Sequence, residues 1–548
     1  MEPIAEKLLK QYDNLDSRKG TLKSHMQEIA EYMLPSMASI TQTQTEGGKR
    51  MTQVFDGTAI RALDIWTNGL YSHLTSPASP WFSLTTKDKE MVKIWDVSEW
   101  LSETSRRMMD GINSSNFGLA IQEAYRQIGA FGTVALYLEP GERHVLNFKT
   151  YDVGRVCIDE NSEGLVDTVM RMEEFTARQC EQEWGKDKLS ETIQKALEKQ
   201  SDEKFKIMHA VCPRKDYQKG KKDSTNMPIA SYYLEKETGN ILNESGYKEM
   251  PYMVPRTKRD SKELYGRSQG MDALPDVKMV NKMAYAGIMA YEKMGNPPIL
   301  APDEMRMSPL RTKPGGISYY VGQKAPEYWQ QPTSIQLAFE YENERKKAIY
   351  ETFFADLFLL LANAPKGMTA TEVLQRAEER LMLLGPALGA LQPELFNPML
   401  ERVFWIMYRG GFITPPPKVL VNQGLDIEYT SKLAMAMRAF ETNAMNQTVG
   451  TVGPWLQIEP KVIDNFDLDT AARGIAERNG VPTDWLRSEA DVKKIRATRA
   501  QEQAEAQRKQ DELMQTEQLI KGASALQTAP EAGSIADAMG MGEAQENG

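Results

Sequence analysis

The residues Gly266-Arg267-Ser268-Gln269-Gly270 satisfy the GxSxG pattern of a nucleophile elbow, where a strained strand-to-helix turn exposes a serine hydroxyl for acyl transfer. Ser268 would be that nucleophile. The elbow needs a buried strand before it, and Lys258-Arg259-Asp260-Ser261-Lys262-Glu263 is polar instead. It also needs a general-base histidine downstream, and all four histidines (His25, His73, His144 and His209) lie upstream. A serine hydrolase using Ser268 is therefore an alternative with parts missing.

Other chemistry fares no better. Gly47-Gly48-Lys49-Arg50 lacks the upstream glycine and the hydroxyl of a phosphate-cradling P-loop, so ATP hydrolysis by that route is not expected. Asp159-Glu160-Asn161-Ser162-Glu163-Gly164 starts like a calcium loop, but Met170 stands where the closing bidentate glutamate belongs. No HExxH occurs, and Cys157, Cys180 and Cys212 are isolated, so neither a zinc site nor a disulfide framework is expected. Glu378-Glu379 is flanked by Arg376 and Arg380 at helical spacing, which reads as a solvated face rather than paired catalytic carboxylates. The expectation is a protein that is not an enzyme, with no cofactor and no metal.

Which elements would carry these residues follows from periodicity. Apolar residues recur at helical spacing over 3–34, giving two helices stopped by Pro35, and Asp56 can cap a further helix over 58–74. Helices are also predicted over 97–112 and 119–128. Short β-branched and aromatic runs over 133–139, 144–151, 155–159 and 165–173 predict an antiparallel sheet. A helical interlude over 176–199 follows, then strands over 206–212 and 229–235, with Thr238-Gly239-Asn240 turning a hairpin.

After Gly270 the pattern is helical. Over 272–295, Leu274, Val277, Val280, Met283, Ala284, Ile288, Tyr291 and Met294 form one stripe, and a second long helix is predicted over 335–361. At the α-helical rise these are roughly 36 and 40 Å long, matched for an antiparallel pair. The Pro- and Gly-rich segment 297–332 is too long for a simple connection and predicts a small subdomain at the tip of the pair. Ala362-Asn363-Ala364-Pro365-Lys366-Gly367 is a breaker-rich loop. Thr369-Ala370-Thr371-Glu372 opens a third helix, bent at Gly385-Pro386, Pro393 and Pro398 and running to 409. Beyond Pro415-Pro416-Pro417 helices are predicted over 431–449, 469–479 and 484–521, and 522–548 reads as disordered.

The 548 residues allow about three or four domains. With 41% apolar residues and 38 glycines the chain can bury a core, which excludes wholesale disorder. Its formal charge of −10 has the wrong sign for a surface that grips nucleic acid by bulk basicity, so any such contact must be local. No signal-peptide pattern opens the chain, and the best apolar run, 353–362, carries Asp356 and is too short to span a bilayer. A soluble chain made in a cytoplasm is expected.

Several colinear blocks together resemble the portal, or head-to-tail connector, proteins of short-tailed double-stranded DNA bacteriophages. They are Phe55-Asp56-Gly57-Thr58-Ala59, Leu74-Thr75-Ser76-Pro77 with Pro80-Trp81-Phe82, and Ala130-Phe131-Gly132-Thr133. Val254-Pro255-Arg256 and Tyr265-Gly266-Arg267-Ser268 follow, running into Ala273-Leu274-Pro275-Asp276-Val277-Lys278 and Asn281. Asn296-Pro297-Pro298 and Thr369-Ala370-Thr371-Glu372-Val373 with Arg376 complete the set, which extends over roughly 1–485.

The resemblance implies an α+β, predominantly helical portal fold assembled as a ring, usually of twelve copies, at one capsid vertex. It implies a wing over 1–269 with its sheet at about 131–258, a first stem helix over 270–296 and a clip over 297–334. A second stem helix over 335–361, a tunnel loop over 362–368 and a bent helix over 369–414 returning to the wing follow. Crown helices over 415–521 and a disordered tail over 522–548 complete the chain. The implied function is a channel through which double-stranded DNA is packaged and later ejected. The implied partners are the terminase large subunit, the major capsid and scaffolding proteins and a tail adaptor protein, with the chain in the virion and, during assembly, the host cytoplasm. Lys366, the one charged residue of the tunnel loop, and Asn363 are the first candidates to face DNA, with Lys278, Lys282, Arg345, Lys346 and Lys347 on the stem. Arg311 and Lys313 are candidates for docking at the clip. A capsid scaffold or tail adaptor without a DNA channel is the other alternative.

Overall fold

A computed structural model describes residues 3–42, 47–50, 53–92, 94–218, 223–295, 299–300, 303, 327–328, 335–362, 385, 389–420, 424–430, 467, 469, 472–473, 487 and 489–527. The chain divides into two units, Met1–Ala471 with Arg478–Gly480, and Ala472–Glu477 with Val481–Gly548. The fold is α+β and predominantly helical. In the first unit, α1 (Pro3–Arg18), α2 (Gly20–Met33) and α3 (Thr58–Leu74) precede β1 (Phe82–Thr86), α4 (Lys89–Val92), α5 (Trp95–Asn113) and α6 (Phe117–Phe131). These helices form where apolar residues recur on one face. On α3, Ala59, Ala62, Leu63, Trp66 and Leu70 are all buried in a core shared with α2, α5 and α6.

Strands β2 (Ala135–Pro140), β3 (Leu146–Tyr151), β4 (Val156–Glu160) and β5 (Val166–Thr176) follow, then α7 (Ala177–Trp184) and α8 (Glu191–Glu198). Next come β6 (Lys204–Pro213), β7 (Ile229–Glu235), β8 (Ile241–Tyr247) and β9 (Tyr252–Met253). They make a five-stranded antiparallel sheet in the order β4-β5-β6-β7-β8 and a three-stranded one in the order β3-β2-β9. The helical interlude is two short helices. The first starts at a capping box in which Thr176 N–H donates to Gln179 Oε1 at 2.9 Å and Gln179 N–H to Thr176 Oγ1.

Helix α9 (Gln269–Gly295), a two-stranded ribbon of β10 (Ile299–Leu300) and β11 (Glu327–Tyr328), α10 (Ile335–Thr352), α11 (Ala355–Ala362), α12 (Asn397–Arg409) and β12 (Leu425–Tyr429) complete this unit. Two expectations change here. The helix expected over 335–361 is broken, because Phe354 takes φ +52° between α10 and α11. The segment after Pro417 also differs from an all-helical reading, because β12 pairs antiparallel with β1, Ile427 opposite Leu84. Pro393, where the sequence predicts a bend, sits in a π-helical turn, Gln392–Phe396. In the second unit the described part is a polar helix, α13 (Glu489–Gln527).

Ser268 is not an exposed nucleophile. It is fully buried, its hydroxyl donates to Ala130 O at 2.7 Å and accepts Met271 N–H at 2.9 Å, so it caps the start of α9. The glycines around it serve close backbone approach. A Cβ on Gly266 would lie 2.5 Å from both Gly132 O and Thr257 O, and one on Gly270 would lie 2.7 Å from Ala130 O. Gly132, at φ +77°, ends α6 against the backbone of Arg267. Thr257 N–H donates to Gly132 O at 2.9 Å and Arg267 N–H to Thr257 O at 2.8 Å. Three sequence blocks thus meet backbone to backbone.

Arg256, fully buried beside this junction, is neutralised from two directions. Its Nη1 lies 2.7 Å from Glu160 at the end of β4 and its Nη2 2.6 Å from Glu394 in the π-helical turn, while Nη2 also donates to Gly164 O at 2.7 Å. A second buried cluster joins the two larger sheets. Arg171 Nε donates to His209 Nδ1 at 3.2 Å, Tyr252 Oη is 2.8 Å from the same nitrogen, and Ser231 Oγ is 3.0 Å from Nε2.

Glu394→Gln should lower stability by about 3 kcal/mol in urea unfolding, because it leaves a buried guanidinium under-compensated; a change below about 0.5 kcal/mol would contradict this assignment. Burial, reinforced by the Arg171 charge, drives the His209 pKa well below 6.5. The unfolded chain takes up a proton below that pH and the folded chain does not, so stability should fall as pH drops through 6.5, by up to about 1.4 kcal/mol per pH unit. His209→Gln should flatten that slope in urea titrations between pH 7 and 5.

Candidate functional site

Helices α9 and α10 run antiparallel, since Asp276 meets Arg345 at 3.5 Å while Tyr291 meets Phe339 with ring centroids 6.2 Å apart. At 27 residues α9 is about 40 Å long. Its first half is built into the core through Met271, Ala273, Leu274, Val277 and Val280. Its second half is not. Ile288, Tyr291 and Met294 continue the apolar stripe and are 45%, 54% and 61% exposed, with Tyr285 and Met289 exposed alongside them. The continuous stripe read from the sequence is therefore two surfaces, one buried in the core and one open.

A loop clamps the pair where burial ends. Asn281 Oδ1 on α9 accepts the N–H groups of Phe55 and Asp56 at 2.7 and 3.3 Å, and its Nδ2 donates to Gln53 O at 2.8 Å. The Phe55 ring lies 4.9 Å from that of Tyr285. Asp56 accepts Thr58 N–H at 2.8 Å, capping α3, and its other oxygen lies 3.0 Å from Lys346 Nζ on α10. One carboxylate joins the start of α3 to α10. Partial burial pushes the Asp56 pKa up, but the bonds from Thr58 and Lys346 outweigh it and hold the group below 3.8. The colinear blocks contained Asp56 and Asn281 without any signal that the two sit together; Lys346 as the third member was not legible.

Four of the cations on α9 and α10 expected to face DNA have partners within the chain. Lys278 pairs with Glu28 on α2, Arg345 with Asp276, Lys346 with Asp56 and with Glu342 at 2.7 Å, and Lys347 with Glu351 at 3.7 Å. Lys282 is exposed and has no ion pair among the described residues. Lys366, Asn363, Arg311 and Lys313 lie outside the described residues. Among the described residues no group of His, Cys, Asp and Glu is arranged to hold a metal ion, and no helix is long and apolar enough to cross a membrane.

Asp56→Ala should cost about 1–2 kcal/mol through the lost cap and ion pair. Because the folded pKa is depressed, that contribution should be present above pH 3.8 and vanish as pH falls. A double-mutant cycle with Lys346→Met should return a coupling of at least about 0.5 kcal/mol in urea unfolding; strictly additive losses would contradict the clamp.

Residues 5–486 match the family model of the bacteriophage head to tail connecting protein. A probable portal protein of Bordetella phage BPP-1 is 33% identical over 515 residues, covering 91% of this chain and 92% of its own. The portal protein of Salmonella phage epsilon15 is 32% identical over 517 residues, covering 92% and 93%. That of Escherichia phage T7 is 23% identical over 297 residues, 50% of each chain. Matched from α1 to beyond β12, through the glycine junction, the clamp and the helical pair, the chain belongs to the bacteriophage head-to-tail connecting family, the portal proteins.

Proposed function

We propose that copies of this chain close into a ring, twelve by family resemblance, around a bore through which double-stranded DNA enters the capsid at one vertex and later leaves it. The observation that carries this reading is the open half of the stem. Five large apolar side chains, Tyr285, Ile288, Met289, Tyr291 and Met294, are exposed on the part of α9 beyond Asn281, and exposed apolar surface of that kind marks a protein contact. Neighbouring copies supply the cover.

Electrostatics fit a conduit. Each phosphate neutralised by a fixed cation releases counterions and adds affinity, which a sliding duplex would meet as friction. The net charge of −10 and the pairing of Lys278, Arg345, Lys346 and Lys347 within the chain leave few cations to grip. Lys282 and Lys366 are then the foremost candidates for transient phosphate contacts, with Asn363 beside Lys366. ATP hydrolysis is left to a separate terminase motor whose large subunit docks at the clip, where Arg311 and Lys313 are the candidate contacts, and a tail adaptor protein takes that face afterwards. Major capsid and scaffolding proteins surround the wing. The chain acts during assembly in the host cytoplasm and remains in the virion.

Electron micrographs of the purified chain should show closed rings with a central opening wide enough for duplex DNA; compact particles without an opening would overturn the reading. Lys366→Glu should abolish or severely reduce DNA packaging while rings still form. Packaging at the unsubstituted level would remove Lys366 from the set of DNA contacts.

A further inference from the structure

A cleft of about 460 Å³ opens between the turn that joins β2 to β3 and the C-terminal end of α12. Pro140 and Val145 line one wall and Ile406 and Phe412 the other, while Glu142, Arg143, His144 and Arg409 stand at the rim. The walls are fixed to each other. Arg402, buried on α12, donates from Nε to Leu138 O on β2 at 2.8 Å, and Arg409 donates to both oxygens of Glu249, at 2.6 and 2.9 Å. Past the helix, Gly411 turns the chain at φ +77° and Phe412 N–H returns to Met407 O at 2.9 Å. This turn sets the Phe412 ring against Gly410, where an added Cβ would lie 2.9 Å from it, and leaves the ring 49% exposed. The cleft is therefore preformed and apolar, within the range of roughly 300–1,000 Å³ that binding pockets occupy.

The opposite end of α5 carries a knob of matching shape and charge. Near its C-terminus α5 touches the cleft, because Arg107 Nη1 donates to Phe412 O at 3.0 Å and a Cβ on Gly111 would lie 3.0 Å from Met407. At its start Trp95 is 56% exposed, with Ile94 exposed before it. Glu99, one turn further along the same face, and Asp96 are exposed and have no ion pair among the described residues. Arg143 at the cleft rim is likewise exposed and has none among them. At the α-helical rise Trp95 and Gly111 stand about 24 Å apart along α5, too far for the knob to enter the cleft of its own chain.

A ring closed by rotation joins unlike faces, so each copy must offer a surface and, elsewhere, its complement. We propose that Trp95 of one copy seats in this cleft of the next, its indole against Phe412 and its flanking carboxylates, Glu99 and Asp96, meeting Arg143. The occupant is thus a second copy of this chain. Glu142 on the same rim repels carboxylates, which leaves Arg143 as their partner. Tryptophan and arginine are the residue types that dominate contact energies, and a preformed seat spares the cost of ordering it. The contact rests on the ring reading above and adds to the α9 surface a second one, on the body of the chain, with its two partners named.

Sedimentation of the full chain over a range of concentrations measures it. Trp95→Ala should raise the concentration at which rings dissociate by about tenfold or more. Arg143→Glu and Glu99→Arg, both at exposed positions, should each weaken assembly, and the two in one chain should recover most of the loss, since every contact then pairs Glu with Arg in the reverse sense. A chain carrying Glu99→Cys and Arg143→Cys, treated with a short bismaleimide after assembly, should give a ladder of linked chains on a denaturing gel, and each single substitution should not. Rings of unchanged stability in Trp95→Ala, a double charge reversal no better than the single ones, or doubly substituted chains that stay unlinked would each overturn the contact and leave the cleft to a different protein. Failure of the unsubstituted chain to form rings counts instead against the ring reading.

Discussion

Backbone packed directly on backbone at the entry to α9 is the constraint on which the rest depends. Gly132, Gly266 and Gly270 let the end of α6, the strand-like segment through Thr257 and the first turn of α9 approach to distances that a Cβ would forbid. Hydrogen bonds from Thr257 and Arg267 then lock the three segments together, and Ser268 caps the helix that leaves them. A long helix with half its length outside the core needs such a root. Arg256 extends the root outward, because its buried charge is tolerable only with Glu160 and Glu394 held in place, which ties the sheet and the segment before α12 to the same point.

Much of this was legible in the sequence where local pattern and tertiary demand agree. The helix over 58–74 matches α3 because Asp56 and the spacing of Leu63, Trp66 and Leu70 both mark it, and the strand at 229–235 coincides with β7. The GxSxG residues were visible as a motif but ambiguous in meaning. The same glycines that permit a catalytic elbow permit close packing, and only their neighbours distinguish the two. The break at Phe354 left no trace, since the apolar spacing continues through it and the α3 residues on which α11 packs, Gly69 among them, lie far away in the chain. Strand β12 was missed because five residues of alternating burial are a weak signal, and their partner β1 lies more than three hundred residues earlier. Pairing of Lys278 and Lys346 was equally hidden, since Glu28 and Asp56 come from α2 and the loop before α3.

The α9–α10 pair thus combines two properties that would conflict in an isolated chain. Its charges are largely compensated from within, through Glu28, Asp56, Asp276, Glu342 and Glu351, so they make little demand on a partner. Its apolar side chains are not compensated, and beyond Asn281 they stand in water. A surface neutral in charge and unsatisfied in hydrophobic contact associates with like surfaces without also holding a polyanion. The clamp at Asn281 marks where the folded chain ends its own burial.

Hydroxyl-radical footprinting of assembled against dissociated protein tests this division most directly. Oxidation at Tyr285, Ile288, Tyr291 and Met294 should fall severalfold on assembly, while buried Leu274 and Val277 stay unreactive in both states. Equal oxidation of the four exposed residues before and after assembly would mean that the open half of α9 is not a subunit surface, and the account of the stem would be wrong.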